Sequence, residues 1–218
     1  MTDTYKPADR TVPTRYRERA VYDRELVHSI LDEAYVCHLG FIRDGAPVVL
    51  PTLFGRVDDR LYVHGSTGSR PLRMAGEVDT GLLVCLTVTH VDGLVLTRSA
   101  FHHSINYRSV VVHGTAHQVT DPEEKRSALD ALVDHVIPGR SRDSRPPNNK
   151  ELAATALLRL DLMDVSAKLR TGDPIEEPED MTLPYWSGVL PLRTGYDTPI
   201  PAPGLDASIP PPEYLTAR

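Results

Sequence analysis

Cysteine is scarce in this 218-residue chain, with only Cys37 and Cys85 present. They lack metal-ligand spacing, and each sits in an apolar run where reduced, buried thiols belong, which argues against structural zinc and a disulfide framework. Long apolar runs are missing too: none approaches the ~18 residues of a membrane-spanning helix. The charged start, MTDTYKPADRTVPTRYRERAVYDRE, has no apolar h-region, so a cytoplasmic chain with no membrane partner is expected. Basic residues are outnumbered, 24 Lys and Arg against 30 Asp and Glu, for a formal net charge of −6. They are also scattered, so no stripe tracks a phosphate backbone and nucleic acid is not an expected partner. Also absent is a strand followed by G-x-G-x-x-G, and strand–helix alternation is not sustained, which excludes a doubly wound dinucleotide-binding sheet.

What the chain has is length enough for one well-packed core, with an arm at residues 1–20, a body at 21–172 and a proline-rich strap at 173–218. Proline lacks the backbone donor, so the strap cannot sustain a regular element and is expected to lie over the domain or a neighbouring subunit. The polar arm is expected to wrap a partner subunit. Asp23 is placed to cap a helix whose Leu26, Val27, Ile30 and Leu31 follow helical spacing. Two β-rich runs, 35–42 and 46–54, are joined by Arg43-Asp44-Gly45, a hairpin signal. A turn at Asp58-Asp59 leads to a strand from Leu61 to His64, then to a short helix opened by Ser69. The unbroken apolar run from Gly81 to Val88 reads as a central strand buried on both faces. Further strands are expected at 93–96, 109–119, 157–163 and 165–169. Asp121-Pro122-Glu123-Glu124 combines an N-cap, a first-turn proline and a carboxylate at the third position, so a helix runs from there to about Val136. Its Leu129, Leu132, Val133 and Val136 form one stripe that reads as core packing. Residues 138–149, PGRSRDSRPPNN, read as a loop with no apolar anchor. About seven short, mostly hairpin-linked strands with three or four helices predict a mainly β chain, a barrel with helices packed at its edge.

The stretch HGSTGSRPLR, residues 64–73, carries the most chemical information. Small hydroxyl residues and two glycines precede two arginines at a strand-to-helix seam, where unpaired backbone N–H groups carry partial positive charge. Ser66, Thr67, Ser69 and Arg70 there suit a phosphomonoester dianion. The same residues also suit a plain helix cap with solvated arginines, since Ser and Gly favour caps for structural reasons.

Together with FHHSINYRSVVVHG about forty residues later, this motif gives the chain its resemblance to the pyridoxamine 5′-phosphate oxidase-like family of flavin-binding split barrels, on the nitroimidazole-reductase-like and actinobacterial side. The resemblance spans roughly Tyr22 to Arg193 and rests on ILDEAYVCHLGFI, VVLPTLFGR, LYVHGSTGSRPLR and NYRSVVVHG. It implies a split β-barrel and an FMN at a homodimer interface. Ser69 and Arg70 would hold the phosphate, supported by Ser66, Thr67 and Arg73, with His64 against the ribityl chain. Val49, Leu50, Pro51 and Thr52 would line the ring and meet its polar edge through main chain. Ser109 stands where the oxidase places a flavin-contacting glutamine, beside Asn106, Tyr107 and Arg108, and YWSGVLPLR resembles its closing segment through Trp186 and Arg193. Arg70-Pro71 replaces the oxidase's Arg-Lys pair, and its substrate-clamping C-terminal motif is not reproduced, so oxidation of pyridoxamine phosphate is not implied.

The function so implied is an FMN-binding oxidoreductase passing electrons from a small-molecule donor to a nitroaromatic, quinone or related acceptor, with Arg108 stabilising charge on the reduced ring. Two other readings stay open: a non-catalytic flavin-binding or sensor protein, and a relative that binds haem or a deazaflavin. Period-2 alternation keeps Asn106 and Arg108 on one strand face and Tyr107 and Ser109 on the other, so one ligand cannot meet all four. The pairs His102-His103 and His113 with His117 read as structural or surface histidines, because no carboxylate or cysteine partner stands near them. Lys168 reads as a solvated strand residue, and Trp186 as a strap anchor or a ring at the site mouth.

Overall fold

The computed structural model describes residues 3–77 and 81–216, with backbone alone for Arg70, Pro71 and Glu77. In chain order the elements are β1 (Ala20–Val21), α1 (Arg24–Glu33), β2 (Val36–Arg43), β3 (Ala46–Val57), β4 (Arg60–Ser66), α2 (Arg70–Glu77), β5 (Leu82–Leu96) and β6 (Ser104–Gln118). They continue with α3 (Pro122–Val136), α4 (Asn149–Ala154), β7 (Thr155–Asp161), β8 (Asp164–Arg170), β9 (Gly188–Pro191) and α5 (Glu213–Thr216).

Local chemistry explains the boundaries. The Asp23 carboxylate accepts from the Leu26 N–H at 2.9 Å and Asp121 accepts from the Glu124 N–H at 2.7 Å, so α1 and α3 start at capped ends. Asp44 and Gly45 both take positive φ, 52° and 77°, the backbone twist that suits a two-residue hairpin between β2 and β3. Asn148 and Glu151 complete a capping box on α4.

All strand pairings are antiparallel. Six strands close a ring, β6-β7-β4-β3-β2-β5 and back to β6, while β1-β8 extends from β6 and β9 from β5. Val27, Ile30 and Leu31 of α1 join Leu61, Leu86, Val110 and Val112 in one core that fills this barrel. A smaller cluster, Tyr62, Val119, Ala128, Leu132 and Leu157, seats α3 on the outside of β4 and β7.

The barrel is split between β3 and β4. Residues 46–53 of β3 pair with β2, whereas only Phe54 to Val57 pair with β4. Beyond Phe54, β4 turns its His64, Gly65 and Ser66 to β7 instead. The first half of β3 therefore has one paired edge and one open edge.

Several expectations are corrected. The strands expected at 81–88 and 93–96 are one strand, β5, irregular between Val91 and Gly93, and β6 begins five residues earlier than expected. The 81–88 run is buried on one face only, since Leu83 is 71% exposed; its second face belongs to the outer surface of the sheet. The start of the arm is anchored on the barrel: Tyr5 is buried, and its hydroxyl contacts His28 Nε2 at 2.9 Å and Asp59 at 2.8 Å.

Candidate functional site

Two features converge where the barrel splits. The first is the open edge of β3. Val49, Leu50 and Pro51 are exposed and Thr52 is half-buried, with no second strand along this stretch. Opposite it, β4 runs out through Ser66 into the turn before α2. Ser69 N–H donates to Ser66 O at 2.8 Å, Gly68 N–H donates to Ser66 Oγ at 3.2 Å, and Thr67 N–H donates to Ala154 O at 3.0 Å. Arg73 is exposed on α2, and its N–H closes the first turn on Ser69 O at 3.0 Å. The Arg70 side chain lies outside the described residues. The split thus leaves free main-chain groups along β3 and a hydroxyl-rich helix entry at the end of β4, residue types suited to a heterocycle carrying a phosphate.

The second feature is a cavity of about 600 Å³ between the barrel wall and α3. Leu53, Leu129, Leu132, Val133, Val136 and Ile137 give it an apolar lining, with His64 on the strand side and Arg140 and Arg145 at the loop side. Of the α3 stripe read as core packing, Leu132 is buried in the outer core cluster with Leu129 packed against it, and all four of its residues also line this cavity, Leu132 alone of them being buried. The 138–149 loop, read as unanchored, borders the same space through Arg140, Ser141, Ser144 and Arg145. His64 makes no hydrogen bond or ion pair among the described residues, so its ring nitrogens are uncommitted.

The two arginines are held but not buried. Arg145 donates to Glu151 at 2.7 and 3.0 Å, and Arg140 to Asp143 at 3.3 Å and to the Tyr214 hydroxyl at 3.2 Å. The Arg145 hydrogen bond, helped by the Asn148 N–H, pulls the Glu151 carboxyl down to about 2.

The motif on β6 is placed elsewhere. Arg108 is clamped by Glu33 at 2.9 Å and Asp92 at 2.8 Å, which keeps both carboxyls below their ordinary range and the guanidinium firmly protonated. With its donor fork engaged by Glu33 on α1 and Asp92 on β5, Arg108 ties these elements together. Asn106 bridges Gly172 O, at 3.0 Å, and Arg170. Ser109 Oγ donates to Lys168 O at 3.2 Å, and Tyr107 is half-buried on the same strand face. Register carries this face across the sheet in rows Pro51–His38–Thr87–Val111–Ser166 and Val49–Gly40–Cys85–His113–Asp164. Ser109, two residues from Val111, therefore shares the outer face with Val49 and Pro51, whereas Asn106 and Arg108 do not. Trp186 stands 66% exposed just before β9, far from buried anchorage.

Cys37 is buried, and burial pushes its thiol up to about 12; Cys85 is half-buried and raised for the same reason. Neither forms a disulfide, and no group of three His, Cys, Asp or Glu among the described residues is placed to hold a metal ion. Among the described residues, no helix is long and apolar enough to cross a membrane.

A split antiparallel barrel with an open strand edge facing a Ser-rich helix entry defines a class of flavoprotein fold. The model of the pyridoxamine 5′-phosphate oxidase family matches residues 23–169, and the chain belongs to that family. Among curated proteins, none matches. Of solved structures, the flavocytochrome Anf3 from Azotobacter vinelandii is 39% identical with TM-score 0.89, over 98% of each chain. An FAD and heme binding protein from Mycobacterium smegmatis is 41% identical with TM-score 0.85, over 91% of this chain and 96% of that one. A Bacteroides thetaiotaomicron protein provisionally assigned to 5-nitroimidazole antibiotic resistance shares the fold at 23% identity and TM-score 0.57, over 68% of this chain and 85% of that one.

Proposed function

We propose that this chain is a redox protein that binds a flavin in the barrel split and a haem in the α3 cavity, and that it works as a homodimer. The observation that carries the reading is His64: an exposed imidazole with no hydrogen bond or ion pair among the described residues, on the wall of a ligand-sized cavity with a mainly apolar lining. A single histidine would suffice to hold a haem, whose iron is already bound by its macrocycle, so the absence of a multi-residue metal cluster among the described residues is no obstacle. The apolar lining would cover such a ring and the rim arginines Arg140 and Arg145 would offer charge to its carboxylates, in keeping with a site that is mostly apolar with few polar anchors. Two relatives about 40% identical over nearly the whole chain are described as binding flavin and haem, which supports the pair.

In the slot, Val49 to Thr52 would meet the flavin's polar edge through main chain, and Ser66, Thr67 and Ser69 would hold its phosphate. Ser109, Tyr107 and Trp186 sit on surfaces a second copy could bring to the ring. When bound, the flavin supplies two-electron and one-electron chemistry and the haem one-electron chemistry. The protein's part is to hold them side by side, exclude water from the cavity, and admit a small electron donor and acceptor at the split. We assign FMN to the slot on the phosphate chemistry of residues 66–69, with FAD as the competing ligand in the test.

Purified chain is titrated with hemin, FMN and FAD and followed by absorbance. We expect a Soret band whose position shifts and whose affinity falls at least about tenfold in His64→Ala, with flavin binding retained. A Soret spectrum unchanged by His64→Ala overturns the axial assignment. Saturation by FAD alone reassigns the slot.

A further inference from the structure

The chain exposes 14064 Å², whereas a compact monomer of its 24.1 kDa is expected to expose about 10,000 Å². The excess, about 4,000 Å² on one chain, is more than the ~1,000–2,500 Å² that each partner of an obligate homodimer buries. Two surfaces hold much of it.

One surface is the C-terminal strap. It leaves the body where Leu192 N–H donates to Asp92 O at 3.0 Å, and every residue from 192 to 211 is exposed. It stands on two tyrosine feet: the Tyr196 hydroxyl meets that of Tyr35, and the Tyr214 hydroxyl donates to Asp143 at 2.7 Å while accepting from Arg140. Between the feet, Ile200 is 93%, Leu205 47% and Ile209 56% exposed. Six prolines stiffen the span, so little chain entropy is left to lose when it is covered. The feet bracket the α3 cavity, since Arg140 lines it and Tyr35 precedes Val36, the cross-strand partner of cavity-lining Leu53.

The other surface is the outer sheet face, where Ile42 is 59%, Val49 61% and Leu83 71% exposed beside His38 and Lys168. The two surfaces complement each other. The strap from 194 to 216 has acidic Asp197, Asp206 and Glu213 and no Lys or Arg, while the sheet face sets Lys168, His38 and His113, with one carboxylate, Asp164, among apolar side chains.

We propose that the strap of each copy is an arch that embraces a second copy, setting Ile200, Leu205 and Ile209 on that copy's outer sheet face. This rests on the homodimer reading above and deepens it. A two-fold pair makes the contact twice, so each arch is filled and each sheet face covered. Such an arch also places the closing of each cavity mouth in the hands of the dimer.

The test places the photo-crosslinker p-benzoylphenylalanine at position 200 of the full-length chain, in an equal mixture of ¹⁴N and ¹⁵N protein. Mixed-isotope crosslinks from position 200 to residues of β2, β3 or β5 are expected. Same-isotope crosslinks alone, or none, overturn the proposal. Light scattering on the same sample separates the two readings: a monomer sinks the homodimer itself, whereas a dimer with only same-isotope crosslinks sinks the arch alone. As a second variant, Ile200→Asp/Ile209→Asp changes two side chains exposed in the single chain, so folding is preserved. We expect its dimer dissociation constant to rise at least about tenfold, and an unchanged constant counts against the arch.

Discussion

Gly55 lies directly under Leu132: a methyl group on Gly55 would stand 3.1 Å from the Leu132 Cα and 3.3 Å from its backbone nitrogen. A bare backbone on β3 is therefore what lets α3 lie close enough to roof the cavity that His64 faces. The obstructing atoms are main chain, so no rotamer change relieves the clash.

It follows that Gly55→Ala should lift α3 from the sheet. Overpacking of this kind costs about 1–3 kcal/mol, read as a fall in the urea midpoint with unchanged slope. Hemin affinity should fall with it, because the cavity roof moves. Wild-type stability and hemin affinity in Gly55→Ala would show that the helix has room to spare.

Arg108 offers a clean separation of two roles. It is tied to Glu33 on α1 and Asp92 on β5, so Arg108→Met leaves two carboxylates without their donor. Charge-assisted hydrogen bonds of this type contribute about 1.5–3 kcal/mol, and a stability loss toward the lower end is expected at this partly solvated site. Flavin affinity should change less than about threefold. Weakened flavin binding in a fully stable variant would restore the ligand role that the sequence pattern suggested.

That case shows what a sequence can and cannot carry. Caps and turns are local, so Asp23, Asp121 and Asp44-Gly45 announced α1, α3 and the β2–β3 hairpin without tertiary knowledge. The phosphate-type turn at 66–69 was legible for the same reason. The cavity was not, since an apolar helix stripe facing a core and one facing a cofactor have the same period; only the divergence of β3 from β4 distinguishes them. His64 was noticed through its place in the motif, but its uncommitted ring depends on neighbours far off in sequence. The two carboxylates that claim Arg108 lie 75 and 16 residues away, beyond any spacing rule.

At the cavity rim, Glu151 carries a pH prediction. Its pKa is lowered to about 2 from an ordinary 4.5, so the stabilisation it contributes is complete above pH 4.5 and disappears as pH falls through about 2. Below that range the capping box of α4 and the Arg145 tie are lost together. Carboxyl ¹³C chemical shifts should report the low midpoint, and Glu151→Gln should flatten the stability–pH curve between 4.5 and 2. A midpoint near 4.5 would mean that Arg145 does not hold the carboxylate in solution.

The thiols give a probe of the barrel. Burial holds the Cys37 pKa at about 12, so at pH 8 only about one molecule in ten thousand carries its thiolate. Cys37 should react with Ellman's reagent only as fast as the barrel opens, with Cys85 on the half-buried outer face reacting first. Two thiols should titrate in denaturant. Rapid reaction of both in the native state would place Cys37 outside the core.

The two proposed cofactor sites share β4, yet they use different atoms of it, and this makes them separable. Ser66 and Ser69 stand at the helix entry, where Ser66 Oγ accepts from the Gly68 N–H, whereas His64, on the same strand face as Ser66, lines the apolar cavity. Ser66→Ala/Ser69→Ala removes two side-chain oxygens, one of them the acceptor of the Gly68 N–H, and leaves the Thr67 and Ser69 N–H bonds of the turn in place, so a bound phosphate would lose part of its cradle. Each lost hydrogen bond to a charged group costs about 1.5–3 kcal/mol, which predicts a flavin dissociation constant raised at least tenfold. Hemin binding should hold within about threefold, since neither serine lines the α3 cavity. His64→Ala should do the reverse. If the serine variant loses haem as well, the two ligands are coupled through β4 or share one site; if it retains full flavin affinity, the phosphate is held by main chain and arginine alone.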